Sequence, residues 1–98
     1  MEQLFVYGTL KDPRIQEKVI GRTIKGSHDI LEGYKISKIN IKGKLYPIIV
    51  PQITSSIPGL IISVTDNELR SIDKYETNIY TRKKILLKSG RTAWVYQK

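Results

Sequence analysis

Glu76 closes a segment running from Thr65 through Asp66, Asn67, Glu68, Leu69, Arg70, Ser71, Ile72, Asp73, Lys74 and Tyr75, and its carboxylate falls where an apolar side chain belongs. At about 100° per residue, Leu69, Ile72 and Glu76 share one narrow helical stripe, with Glu76 about 20° from Leu69, while Arg70 and Lys74 point elsewhere. An unpartnered ionised carboxylate on such a stripe is costly, so Glu76 must be paired, protonated with a raised pKa, or turned into a cavity. A carboxyl in the last of these settings is a candidate general acid/base. The same spacing also suits a helix that ends near Tyr75, with Glu76 turning into solvent and pairing with Arg82 or Lys74. Asp73 lies about 60° from Glu76 and reads as structural, bonded to backbone or to Arg82.

The second chemically competent segment is Leu4-Phe5-Val6-Tyr7-Gly8-Thr9-Leu10, followed by Lys11-Asp12-Pro13. Its apolar start reads as a strand buried on both faces, and Gly8 lets the chain turn sharply where a side chain would obstruct a ligand. The N–H groups of Gly8, Thr9 and Leu10 are therefore candidates to hold a carboxylate or an oxyanion. Taken by itself this segment is equally a structural turn. Tyr7 reads either as a pocket residue or as a half-buried strand tyrosine.

The elements that must position these groups are short strands and two helices. Thr65 and Glu68 form a capping box that starts the helix leading to Glu76. Asp12 caps a shorter helix with Pro13 at its first position, Ile15 and Val19 on one face and Gly21 as its stop. Residues 30 to 41 alternate imperfectly, because Tyr34 and Ile36 share one phase and Ile39 and Ile41 the other, which predicts a bulge or turn near Ser37-Lys38. Residues 45 to 50 and 59 to 64 read as strands separated by a Pro51 to Pro58 loop, a candidate pocket rim. Tyr80 to Leu87 and Thr92 to Tyr96 flank the hairpin signal Ser89-Gly90, with Trp94 expected to fill core. The reading is α+β: one domain spanning residues 1–98, a small mixed β-barrel, closed or nearly so, with few flanking helices.

Composition narrows the function classes. The chain has 98 residues, enough for one core, and 40% hydrophobic content argues against disorder. It has no cysteine and a single histidine, which excludes disulfides and thiolate-bound zinc, and no nucleotide-binding glycine signature. His28 falls in Gly26-Ser27-His28-Asp29, read as a loop whose Ser, His and Asp are neighbours in sequence and form no triad. Apolar stretches are too short to span a bilayer, and Met1-Glu2-Gln3 lacks a secretory n-region, so the expected setting is cytoplasmic, away from membranes. The net charge of +8 favours anions. Lys35, Lys38, Lys42 and Lys44 interleave with Tyr34, Ile36, Ile39, Ile41 and Tyr46, a pattern for a nucleic acid face or, more simply, for the solvated side of an amphipathic hairpin. Arg82-Lys83-Lys84 and Arg91 divide the same way, and no RNA-recognition signature accompanies them.

With its blocks in view, the chain resembles the gamma-glutamylcyclotransferase-like family, which includes the AIG2-like proteins and gamma-glutamylamine cyclotransferases. Leu4 to Leu10 resembles the family's strand and Tyr-Gly-Thr-Leu substrate loop, and Gly43 to Pro51 its middle Tyr-Pro segment. Pro58 to Val64 is similar to its next core strand, and Ile72-Asp73-Lys74-Tyr75-Glu76 with Tyr80-Thr81-Arg82 to its hydrophobic-Asp-x-aromatic-Glu and Tyr-x-Arg pattern. The resemblance implies the family's barrel, an enzyme converting a small gamma-glutamyl amine or amino acid to 5-oxoproline and free amine, and no metal or cofactor. It implies Glu76 as general acid/base, with Tyr7, Gly8, Thr9, Leu10, Tyr80 and Arg82 as substrate-binding candidates, Arg82 being open between fixing Glu76, holding a substrate carboxylate and lying on the surface. Two departures stand out. Thr77 replaces the glycine that commonly follows the glutamate, which would shift the orientation of Glu76, and the sequence ends at Lys98 without the longer C-terminal segment of many members, which would open the pocket. The alternative function is a non-catalytic domain that binds a small anion in the same pocket or RNA on the basic surface.

Overall fold

The computed structural model describes residues 1–98. Five strands form one sheet in the order β2-β3-β1-β5-β4, where β1 is Glu2–Val6, β2 Ser27–Ile41, β3 Lys44–Val64, β4 Thr81–Leu86 and β5 Thr92–Gln97. All pairings are antiparallel except β1 with β5, so the sheet is mixed. Both faces of its centre are buried. Leu4, Val6, Ile62, Val64 and Tyr96 pack with Leu10, Leu69 and Ile72 on the helical side, while Phe5, Leu31, Ile49, Ile57, Ile61, Leu87, Ala93 and Val95 fill the other. Alternate residues of β1 thus go to opposite cores, which explains its unbroken apolar run.

The sheet curls into a half-barrel, and the turn after β4 meets the start of β2 at a seam. Across that seam the Lys88 amide donates to the Ile30 carbonyl at 2.9 Å, and the Ser89 amide and hydroxyl both donate to the buried Asp29 carboxylate, the amide at 3.2 Å. His28 and Asp29, expected in a loop, belong to β2, where His28 is exposed and Asp29 is the seam's acceptor.

Two expectations for the long β2–β3 hairpin are corrected. The break in alternation sits between Glu32 and Tyr34, where the register shifts around Gly33 at φ 84°, not at Ser37-Lys38. That φ suits glycine, so the residue that can absorb the bulge determines its place. Residues 51 to 58 fall within β3, where Pro51 pairs with Tyr34 and Ser56, Ile57 and Pro58 with Glu32, Leu31 and Ile30, while Gln52 to Ser55 have no partner in the ladder, so the expected loop shrinks to these four residues. Proline removes a ladder donor but keeps an extended backbone, so it interrupts neither end of the strand here. At the hairpin tip Lys42 and Gly43 both have positive φ, 52° and 83°, and Ile41 faces Lys44 across a two-residue turn.

Both helices start as their caps dictate. Asp12 accepts from the Arg14 amide at the start of α1 (Pro13–Ile20), and Gly21, at φ 78°, ends it. Thr65 and Glu68 complete the capping box of α2 (Asp66–Glu76). Glu68 has a second task, binding the Arg22 guanidinium through both oxygens at 2.6 and 2.9 Å, which fastens the end of α1 to the start of α2. Trp94 is half-buried and not a pure core residue: its N–H donates to Glu2 at 2.8 Å, and Arg82 and Lys84 stand 4.4 and 5.0 Å from its ring centroid.

Gly59 lets β3 pass beneath the end of β1. A Cβ there would lie 2.5 Å from the Val6 carbonyl oxygen and 2.6 Å from Phe5 Cζ. Gly59→Ala should therefore cost about 1–3 kcal/mol through overpacking, read as a lowered denaturation midpoint with an unchanged m-value; a wild-type midpoint would show that β1 has room to shift.

Candidate functional site

A cavity of about 500 Å³ opens at the end of β1. Its walls come from four places: the Phe5–Leu10 segment, the start of β3 at Lys44, Tyr46 and Pro47, the end of α2 with the turn after it, and Tyr80 and Tyr96. Five of the chain's six tyrosines line it.

The two distant segments meet directly. The Thr9 and Tyr75 hydroxyls share a hydrogen bond of 2.8 Å, which joins the glycine loop to the residue preceding Glu76. The loop itself is a 3₁₀ turn, Thr9–Lys11, led by Gly8. Its carbonyls at Gly8 and Thr9 accept from the Lys11 and Asp12 amides, and as the first amides of a helical turn those of Thr9 and Leu10 have no partner within it. Behind the loop the buried Gln16 side chain donates to the Leu10 carbonyl at 2.8 Å and accepts from the Ile24 amide at 2.8 Å. Gly8 sits at the cavity edge, and a Cβ added to it would meet no protein atom within 4 Å. The absent side chain leaves space belonging to the cavity.

Glu76 is the last residue of α2, half-buried on the cavity wall. No ion pair or hydrogen bond reaches its carboxylate, and neither Lys74 nor Arg82 pairs with it. Burial alone pushes its pKa up from 4.5 to about 7. Asp73, one turn earlier, has the opposite surroundings. It takes the Arg82 guanidinium at 2.8 and 3.1 Å and the Tyr96 hydroxyl at 2.5 Å, and the Arg82 bond above all holds its carboxyl below the usual range. Two carboxyls on one helix end are thereby driven apart, a pattern that marks acid/base sites.

The tyrosines form a hydrogen-bonded frame. Tyr7 donates to the Tyr96 carbonyl at 2.8 Å, and Tyr80 to the Pro47 carbonyl at 2.6 Å. Burial first, then the neighbouring acidic groups, raises the pKa of both phenols, which stay protonated. The turn after Glu76 is strained: Thr77 has φ 61° and ψ −162°, a conformation that a β-branched side chain rarely accepts. Its N–H nevertheless closes the helix on the Asp73 carbonyl, so the residue that replaces glycine also fixes how the chain leaves Glu76.

Of the residues singled out in the sequence, Tyr7, Gly8, Thr9, Leu10, Glu76 and Tyr80 share this cavity. Arg82 does not line it. Its guanidinium is committed to Asp73 and stacked on Trp94, and it borders a neighbouring cleft instead; of the partners the sequence left open, Asp73 is the one it takes. The Pro51 to Pro58 stretch is not the rim; Lys44, Tyr46 and Pro47 are. Lys44, Tyr46, Tyr75 and Tyr96 were not legible as site residues, although the Tyr-Pro pair at positions 46 and 47 was a usable signal.

Comparison with known proteins gives the family and the fold. The profile of the family described as gamma-glutamyl cyclotransferase, AIG2-like, matches residues 4–98. The chain belongs to the AIG2-like gamma-glutamyl cyclotransferase family. Among its AIG2-like relatives, AIG2-like proteins C and A of Arabidopsis thaliana are 32% and 34% identical over 83 residues, 84% of this chain and 47% and 49% of theirs. The chain thus spans about half the length of these curated relatives. An Arabidopsis thaliana protein solved in solution superposes with a TM-score of 0.79 at 27% identity, covering 98% of this chain and 61% of that one. A structure titled gamma-glutamyl cyclotransferase superposes with a TM-score of 0.80 at 15% identity, covering 98% and 65%, and shares the fold. No helix of this AIG2-like chain is long and apolar enough to cross a membrane.

The raised pKa of Glu76 has a stability consequence. The folded state holds its proton more tightly than the unfolded chain, so Glu76 lowers stability as pH rises from about 4.5 through about 7. Glu76→Gln should melt above wild type at pH 8.5, with the gap closing as pH falls toward 4. A gap that widens on acidification would show that the carboxylate is paired.

Proposed function

We propose that this chain is a gamma-glutamyl cyclotransferase acting on a small gamma-glutamyl amine or amino acid, releasing 5-oxoproline and the free amine. The observation that carries this reading is the unpaired Glu76 carboxyl, with its pKa near 7, facing a cavity edged by the Gly8–Leu10 turn. The fold shared with a structure titled gamma-glutamyl cyclotransferase supports it.

Each step has a group of the right kind. The substrate's α-carboxylate and the oxyanion formed during attack both need donors, and the main-chain amides of the Gly8-Thr9-Leu10 turn supply them without reorganising. Glu76 as carboxylate takes a proton from the α-ammonium, freeing the amine to attack the side-chain carbonyl and close a five-membered ring. The ring nitrogen loses its second proton to solvent as the tetrahedral intermediate collapses, and the released amine takes one from solvent to become ammonium. The bond from the former carbonyl carbon to the departing nitrogen breaks as Glu76 returns a proton to that nitrogen. Two protons leave the α-nitrogen and two end on the released ammonium, so Glu76 is regenerated. A pKa near 7 suits both directions of transfer, since neither form is strongly favoured at working pH. The frame of Tyr7 and Tyr80 walls the site and keeps its dielectric low. The main-chain donors and one carboxyl suffice for this chemistry, which requires no metal or cofactor.

The test is 5-oxoproline release from a panel of gamma-glutamyl compounds. Wild type is expected to show a kcat/KM that rises with pH through an acid limb near pH 7, and Glu76→Gln to lose on the order of 10²–10⁴-fold in kcat together with that limb. Activity that survives the substitution would remove Glu76 from the reaction, and a panel with no product at all would leave a non-catalytic ligand pocket.

A further inference from the structure

One positive side chain lines the cavity. Lys44 is its single cation, as Glu76 is its single acid. The chain's three ion pairs are Arg14–Asp12, Arg22–Glu68 and Arg82–Asp73, so no carboxylate neutralises Lys44. Its ammonium stands 5.7 Å from the centroid of the Tyr46 ring, close enough for the ring face to hold it near the mouth while leaving all three N–H donors free for a ligand. The backbone below it is fixed. Lys44 is the first residue of β3 after the two-residue turn, and the bond from Tyr80 to the Pro47 carbonyl fastens this end of β3 beside the residues that follow Glu76.

Exposure separates the roles of the two charges. Lys44 is exposed and Glu76 half-buried, so Lys44 marks the outer part of the cavity and Glu76 its wall. Under the reaction proposed above, on which this inference rests, the carbonyl under attack and the glutamyl carboxylate must lie at Glu76 and the Gly8–Leu10 turn. The departing amine is then the portion that extends toward the mouth. A cation there attracts a leaving group that bears a carboxylate and repels one with a positively charged tail.

We infer that Lys44 is a specificity-determining residue that pairs with a carboxylate on the leaving amine, so that the preferred substrates are gamma-glutamyl amino acids and not gamma-glutamyl amines with neutral or cationic tails. The remainder of the chain's positive field steers such anionic substrates to the same mouth, with Lys35, Lys38 and Lys42 on the hairpin that carries Lys44.

The experiment uses gamma-glutamyl-alanine and its C-terminal amide, which differ in one charge. Binding of both to the Glu76→Gln chain by calorimetry gives a readout free of catalysis, and kcat/KM on the wild-type background gives the kinetic one. The acid is expected to bind about 10-fold more tightly than the amide, a preference carried by KM, as for a hydrogen bond to a charged group. Lys44→Met should bring the ratio of the two to about one, and Lys44→Arg should restore it. Equal losses on acid and amide in Lys44→Met would overturn the inference, because Lys44 would then hold the glutamyl carboxylate or merely support the rim. A preference that persists without Lys44 would overturn it too. Selective binding of the acid with no 5-oxoproline formed would sustain Lys44 as the carboxylate contact and sink the cyclisation; turnover with no selectivity would do the reverse.

Discussion

A half-buried carboxyl without a counter-ion at the end of α2 is the constraint on which the site depends. Such a group stays unpaired in a protein with a net charge of +8 only if no cation comes within pairing distance of it. The chain achieves this with Asp73. Three residues before Glu76, Asp73 takes the Arg82 guanidinium in a two-point bond and adds the Tyr96 hydroxyl, so the cation that follows α2 never reaches Glu76. The ionised pair and the unpaired acid are therefore one arrangement.

The scaffold serves to hold that end of α2 against the glycine turn. The capping box fixes where α2 begins, Arg22 clamps that beginning to α1, and Leu69 and Ile72 seat the helix on the sheet. On the opposing side, Gly59 makes room for the end of β1, and Gln16 holds the Leu10 carbonyl from behind. The Thr9–Tyr75 bond joins the two sides directly. The strained Thr77 is the remaining tension in the arrangement, located where the chain must leave the helix without swinging Glu76 into water.

Much of this was legible in the sequence wherever a local rule applied. Asp12-Pro13, Gly21 and Thr65 with Glu68 state the helix ends, because caps act over three or four residues. Glu76 stood out because a carboxylate on an apolar stripe contradicts the helical pattern. What local rules could not supply was which strand ends meet. Tyr46 and Tyr96 alternate like ordinary strand residues, and only the curl of the sheet brings them and Lys44 to the cavity. Arg82 was left open for the same reason: which nearby acid it meets is set by the strand's angle to α2, and Asp73 was one of the partners the sequence offered. The bulge was assigned to Ser37-Lys38 by phase alone, while Gly33 could accept the positive φ that a bulge there requires.

The most direct test is the titration of the Glu76 carboxyl itself, followed by NMR through the side-chain carbonyl carbon of the folded protein and assigned with Glu76→Gln. A midpoint near 7 is the predicted result. A midpoint at or below 4.5 would mean that the group is fully solvated or paired, which contradicts a half-buried, unpartnered acid at the end of α2.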